Sequence, residues 1–180
     1  MSENPHLIFV LGGARSGKSA YGEKLIEAHP SPWIYIATAE AFDDEMRDRI
    51  ALHQSRRNER WFTLDAPRDL VGAIRAAPEN APILIDCLGV WLSTRLLNDA
   101  DLAADRVALI AALRKRRAPT VVVSPEVGFS IVPENALARS FRDAAGLLHQ
   151  DVARIARKVI LVVAGYPVMV KESEGAVSIR

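Results

Sequence analysis

Short, nearly continuous apolar runs alternate along this chain with longer stretches in which apolar residues return every three or four positions. The runs Leu7-Ile8-Phe9-Val10-Leu11, Trp33-Ile34-Tyr35-Ile36, Ile83-Leu84-Ile85, Thr120-Val121-Val122-Val123-Ser124 and Lys158-Val159-Ile160-Leu161-Val162-Val163-Ala164 read as strands buried on both faces. Trp61 to Leu64 reads as a short strand, and Val168-Met169-Val170 as an added edge strand. Helical spacing is found from Ser19 to Ala28 and from Asp43 to Arg56, the latter opening on the acids Asp43-Asp44-Glu45 that suit a first turn. Further helices are predicted after Pro67 from Asp69, over Val90 to Leu97 and over Leu102 to Arg116. The longest runs from Pro133 to Arg157, with Leu137, Phe141, Ala145, Leu148, Val152 and Ile155 on one stripe. Strands and helices that alternate in this way predict an α/β fold, a mostly parallel central sheet flanked by helices. The polar tail from Glu172 is predicted to fray.

Composition narrows the class. A chain of 180 residues at 49% hydrophobic, without repeats or a long Gly/Ser/Pro-rich linker, predicts a single domain over 1–180. Its net charge of +1 supplies no global attraction to nucleic acid or to a membrane surface. The start Met1-Ser2-Glu3-Asn4-Pro5 lacks a basic leader, and no apolar run approaches a membrane-spanning length, so a cytoplasmic protein without membrane insertion is expected. Cys87 is the only cysteine, which excludes an intrachain disulfide and a multi-cysteine metal site; in an apolar strand it reads as a small core residue.

Gly12-Gly13-Ala14-Arg15-Ser16-Gly17-Lys18-Ser19 fits G-x-x-x-x-G-K-S and stands between a predicted strand and a predicted helix, the context in which this motif forms a P-loop phosphate cradle. Glycines at 12, 13 and 17 let backbone amides turn inward where a Cβ would obstruct them. Lys18 reaches the β and γ phosphates, the Ser19 hydroxyl is placed to ligate Mg²⁺, and the helix N-terminus faces the anion. Asp86, at the carboxyl end of an apolar strand, is the candidate carboxylate for the same Mg²⁺; the plainer reading is an acid that ends a strand or caps the next helix.

His53 continues the Met46, Ile50 stripe of its predicted helix, which alone favours a core histidine. Its neighbours Gln54, Ser55, Arg56, Arg57 and Arg60 form a donor-rich cationic patch suited to phosphates or to a base and ribose, and histidine is also a competent nucleophile toward activated phosphorus. Other residues take plainer readings. Arg114-Lys115-Arg116-Arg117 reads as a solvated helix end, Trp91 as a core or interface residue, and Glu126 as a turn acid or as an orienter of water or a hydroxyl. His6, His29 and His149 have no clustered partners in the sequence and receive no role.

Taken together, the cradle, Tyr35-Ile36-Ala37-Thr38-Ala39, and Asp43-Asp44-Glu45-Met46 with Arg49, Ile50 and His53 closely resemble the bifunctional adenosylcobinamide kinase/adenosylcobinamide-phosphate guanylyltransferase family of cobalamin biosynthesis. So do Glu126-Val127-Gly128, Ile131-Val132-Pro133-Glu134-Asn135, Leu137-Ala138-Arg139 and Phe141-Arg142-Asp143-Ala144-Ala145-Gly146. The resemblance follows nearly the whole chain in order. It implies a RecA-like P-loop fold, phosphorylation of adenosylcobinamide by ATP or GTP, and then transfer of GMP from GTP through a GMP-histidine intermediate. The motif histidine falls on His53, with Lys18 as its catalytic partner in the cradle. Nucleotide contacts fall on Gly12 to Ser19, on Ala37, Thr38 and Ala39, on Gln54, Ser55, Arg56 and Arg57, and on Asp65 and Asp86. A homotrimer that handles a corrinoid and nucleoside triphosphates with Mg²⁺ is implied. The chain departs from the family pattern at Pro125, where an Asn is usual, and carries aspartates at 65 and 86 where glutamate also occurs. From the residues alone, a P-loop small-molecule kinase without a covalent intermediate and a nucleotide-gated regulatory ATPase remain alternatives.

Overall fold

The computed structural model describes residues 3–40 and 57–173. The predicted helix over 43–56, with His53, Gln54, Ser55 and Arg56, lies outside the described residues, as does most of the polar tail, 174–180.

The apolar runs form strands because their aliphatic and aromatic side chains fill both faces of a pleated surface. They are β1 (Asn4–Gly12), β2 (Trp33–Ala37), β3 (Trp61–Asp65), β4 (Ile83–Asp86), β5 (Thr120–Pro125), β6 (Ala156–Val163) and β7 (Tyr166–Glu172). The described helices are α1 (Lys18–Glu27), α2 (Leu70–Ala76), α3 (Leu88–Leu97), α4 (Leu102–Lys115) and α5 (Ala136–Ile155). One sheet runs in the order β3-β2-β4-β5-β1-β6-β7, parallel throughout except for antiparallel β7. The expectation of an α/β fold with a mostly parallel central sheet flanked by helices is met.

Alternation along the strands sends side chains to two cores. Leu7, Phe9, Ile83 and Ile85 join α2, α3, α4 and α5 on one face, where Trp91 is buried and donates its indole N–H to the Arg68 carbonyl at 3.2 Å. Val10, Leu84, Val121 and Val123 meet Ile26 of α1 on the other. This separation matters for the site, because α1 and the α3/α5 pair approach the same sheet edge from opposite sides.

Helix ends correct several predicted boundaries. The longest helix begins at Ala136, since the Asn135 side chain accepts from the Ala138 amide at 3.2 Å and so caps it. It stops at Ile155, where Lys171 Nζ donates to the carbonyls of Ala153 at 2.9 Å and Ala156 at 2.7 Å, and Ala156 enters β6. Glu172 does not fray: it is in β7 and pairs with Lys158 at 2.6 Å. Asp69 and Asp101 cap α2 and α4 through the amides of Gly72 and of Ala103 and Ala104.

The solvated reading of the basic run fails at Arg116, whose residue is only 6% exposed. Its guanidinium donates to the carbonyls of Ala77 at 3.2 Å, Pro78 at 3.0 Å and Ala81 at 2.6 Å, so it joins the end of α4 to the loop entering β4. Burial holds its pKa below the usual arginine value, with partial compensation from Glu79. Replacing Arg116 with Met keeps the bulk and leaves three carbonyls, those of Ala77 and Ala81 buried, without this donor. We expect a loss of about 2–3 kcal/mol in urea unfolding, whereas a solvated arginine would give a change near zero.

Candidate active site

The carboxyl ends of the parallel strands form one edge, and most of the candidate residues lie along it. Parallel register puts Ala37 level with both Asp65 and Asp86, then Asp86 level with Val123 and Val123 level with Val10. Gly12, at the end of β1, lies level with Pro125 of β5 and Val162 of β6. Asp86 is thus not on the strand beside the cradle strand, because β5 runs between them.

The cradle leaves β1 and enters α1 through two backbone conformations that the sequence suits. Gly17 has φ 92°, the left-handed region natural to glycine, and it is the N-cap of α1 with no side-chain cap bond. The first-turn amides of α1 consequently look into the loop. At Gly12 a Cβ would stand 2.4 Å from Ser16 Oγ and 2.8 Å from the Val162 carbonyl, so only glycine permits the loop to fold this closely on β6. Lys18 Nζ donates to the Gly13 carbonyl at 3.1 Å, which holds the ammonium across the loop. The Ser16 carbonyl accepts from the Gly165 amide at 2.9 Å, bracing the loop against the β6–β7 turn.

At the same carboxyl edge, Asp86 is oriented by Tyr35, whose hydroxyl donates to Oδ2 at 3.0 Å. Burial, and then the nearby Asp86 charge, push the phenol pKa well above its ordinary value, so this donor keeps its proton. The Arg57 guanidinium stacks 3.5 Å above the Tyr35 ring, which ties the end of the cationic patch to Asp86 through one aromatic side chain. The backbone beside Arg57 is elsewhere: Trp33, the first residue of β2, donates its amide to the Arg60 carbonyl, so this segment enters at the amino end of the sheet.

Thr38 is fully buried, and its hydroxyl both donates to the Cys87 carbonyl and accepts from the Cys87 amide, each at 2.8 Å. That pair of bonds fixes the backbone after Asp86; the Asp86–Cys87 peptide bond is cis. Burial, and then the nearby Asp86 charge, push the Cys87 thiol up to about 11, which keeps it protonated; the residue lies not in a strand but just past β4, half-buried as the N-cap of α3. Asp65 is exposed at the end of β3, in line with Ala37 and Asp86. Ala39 is half-buried just beyond Thr38.

The sequence gives no hint of a second polar network. Ser124 and His149 are buried, with Ser124 Oγ 2.8 Å from His149 Nε2, and His149 Nδ1 lies 3.8 Å from Glu126 Oε2. Glu126 is itself fastened to the site, because its amide donates to the Gly12 carbonyl at 3.0 Å and its Oε1 accepts from the Gly128 amide. His149 follows Leu148 on the buried face of α5, which identifies a core position, but its partners are far away in sequence and invisible to pattern reading. The orienting role of Tyr35 is missed for the same reason.

A scan of protein families matches residues 8–170 to a family described as cobinamide kinase / cobinamide phosphate guanyltransferase. The chain belongs to this family. It is 43% identical over 182 residues to the bifunctional adenosylcobalamin biosynthesis protein CobU of Salmonella typhimurium, covering 92% of this chain and 99% of the relative. With the bifunctional adenosylcobalamin biosynthesis protein CobP of Pseudomonas aeruginosa it shares 41% identity over 165 residues, 90% of this chain and 95% of the relative. Among solved structures, a KaiC-like protein from Pyrococcus horikoshii superposes with a TM-score of 0.52 at 15% identity, covering 95% of this chain and 81% of the other, a likeness of fold. A type III secretion ATPase gives 0.51 at 13% identity, covering 87% of this chain and 50% of the other. The cobinamide kinase / cobinamide phosphate guanyltransferase family supplies the two activities, phosphorylation of cobinamide and guanylyl transfer to cobinamide phosphate, and a nucleotide co-substrate for each. Among the described residues no helix is long and apolar enough to cross a membrane.

His149 carries a pH signature. Burial lowers its pKa, with the Glu126 carboxylate opposing in part, and Ser124 and Phe9 are its other close neighbours. A depressed folded pKa means that the unfolded chain binds the proton more readily, so this contribution to stability is full above the unfolded value of about 6.5 and is lost as pH falls through the folded pKa. Thermal unfolding from pH 7.5 down to 5 should show a steeper fall for the wild type than for His149→Asn; parallel curves would contradict the assignment.

Proposed function

We propose that the carboxyl edge of the sheet runs both reactions of the family with one nucleotide cradle. The observation that supports this most directly is the common edge shared by the Gly12–Ser19 loop, Lys18 and the Tyr35-oriented Asp86. In the first reaction the aminopropanol hydroxyl oxygen of adenosylcobinamide attacks the γ phosphorus of ATP or GTP. The bond to the β–γ bridging oxygen breaks, the hydroxyl proton is released, and a nucleoside diphosphate leaves. Lys18 and the loop amides stabilise the charge gathering on the phosphates.

In the second reaction a ring nitrogen of neutral His53 attacks the α phosphorus of GTP and pyrophosphate leaves. A phosphate oxygen of adenosylcobinamide phosphate then displaces the imidazole from the GMP phosphorus, giving adenosylcobinamide-GDP. Ala37, Thr38 and Ala39, Asp65, and the Gln54 to Arg57 patch are proposed to hold the nucleoside. Both the γ and the α phosphorus must be served by the one cradle, so the nucleotide, the segment that carries His53, or both are proposed to move between the steps.

The residues present suit Mg²⁺. Ser19 and Asp86 offer hard oxygen donors of the kind this cation takes. When bound, Mg²⁺ would neutralise phosphate charge. Assembly as a homotrimer is part of the same reading, and exposed apolar residues such as Phe129, Ile131 and Tyr166 offer surface for it.

Incubation with α-labelled GTP and Mg²⁺ tests the covalent step. Acid-labile, alkali-stable label should appear on the wild type and be absent from His53→Ala, while Lys18→Ala should slow labelling by at least about a hundredfold. Unlabelled wild type that still phosphorylates cobinamide would leave a simple kinase in place of this mechanism.

A further inference from the structure

A cavity of about 560 Å³ opens on the face of the sheet opposite α1, between α3 and the start of α5. Its walls include Val90, Ser93 and Leu97 of α3, Phe141 of α5, and Pro125 at the end of β5. We infer that this cavity receives the corrinoid acceptor, taking the aminopropanol arm and the adjoining edge of the ring. The inference rests on the cradle reading given above.

Position supports it first. Pro125 is the register partner of Gly12, so the inner wall of the cavity abuts the first residue of the cradle. Glu126, the next residue, is bonded through its amide to the Gly12 carbonyl, which keeps this junction narrow. The cradle closes around its phosphates at the N-terminus of α1, on the other face. In-line displacement at the γ phosphorus needs the attacking oxygen opposite the departing diphosphate. An acceptor that approaches from the α3/α5 face meets that requirement, and one arriving over α1 would compete with the nucleotide for space.

Chemistry supports it next. The lining is chiefly apolar, with a few polar groups such as the Ser93 hydroxyl, the character of a site for a broad apolar ligand with polar fringes. Cobinamide is such a ligand, a macrocycle rimmed with amides. Leu97 is 64% exposed at the mouth, a large apolar side chain left toward water where a ring face would cover it. The rim also carries the ion pair of Arg68 with Glu40, at 3.7 Å.

The inner wall is built in advance. A Cβ on Gly89 would stand 2.3 Å from Pro125 Cγ, so the glycine in the first turn of α3 is what lets the proline ring seat against the helix. The proline that departs from the family pattern is thereby part of the cavity wall, and its ring replaces a polar amide with apolar surface.

The test is steady-state phosphorylation with cobinamide and ATP each varied in turn, for the wild type, Ser93→Trp and Leu97→Glu. The first variant fills the cavity. The second puts a charge at its exposed mouth, where folding is least at risk, and circular dichroism checks both. We expect the KM for cobinamide to rise at least about tenfold in the folded variants, with a shift in the KM for ATP no larger than about twofold. Equilibrium dialysis against cobinamide, followed by its visible absorbance, should show the same loss. If the wild type phosphorylates cobinamide and neither folded variant changes its KM, the acceptor binds elsewhere and the inference falls. A wild type that phosphorylates no cobinamide would instead overturn the functional reading on which the inference rests.

Discussion

The in-register parallel pairing of β4, β5 and β1 is the constraint on which the site depends. Because β5 intervenes, Asp86 stands two strand spacings from the cradle strand, about 10 Å along the hydrogen-bonding direction. β1 continues past Val10, the residue level with Asp86 through Val123, to reach Gly12. Both ends of that separation are backbone-determined. A slip of one residue in either pairing would exchange the core faces of a whole strand, so the hydrophobic pattern that folds the sheet also fixes the spacing of the chemistry.

Around that frame, buried polar groups set directions. Tyr35 turns Asp86, Thr38 grips the backbone on either side of Cys87, and the Ser124–His149–Glu126 chain supports the strand end beside Gly12. Each group is partnered, as low-dielectric surroundings require. They come from strands or helices already held by the two cores or, for Thr38 and Glu126, from the residue directly after such a strand, so a small number of hydrogen bonds suffices to aim a charge.

The cradle, its flanking strand and helix, and the order of the remaining strands were legible because each depends on neighbours close in sequence. Glycines, a lysine and an apolar run state a phosphate loop within twenty residues. The Tyr35–Asp86 bond joins residues 51 positions apart, and the Ser124–His149 pair 25 apart, beyond what periodicity records. Arg116 misled for a related reason: a basic run at a helix end has an ordinary solvated explanation, and only the meeting of α4 with the loop before β4 supplies three carbonyls to bind it. The ends of α5 were overestimated because helical spacing continues past the Asn135 cap on one side and into the first residues of β6 on the other. The nucleophilic role proposed for His53, which lies outside the described residues, rests on family resemblance alone.

The turn between β6 and β7 has a wider meaning. Gly165, with φ 85°, donates its amide to the back of the phosphate loop and lies so near that a Cβ on Gly17 would be 3.3 Å from its Cα. A hairpin at the margin of the sheet thereby removes conformational freedom from the loop before any nucleotide arrives. Part of the ordering entropy of anion capture is met during folding, so affinity for a triphosphate becomes sensitive to residues on the far margin of the sheet.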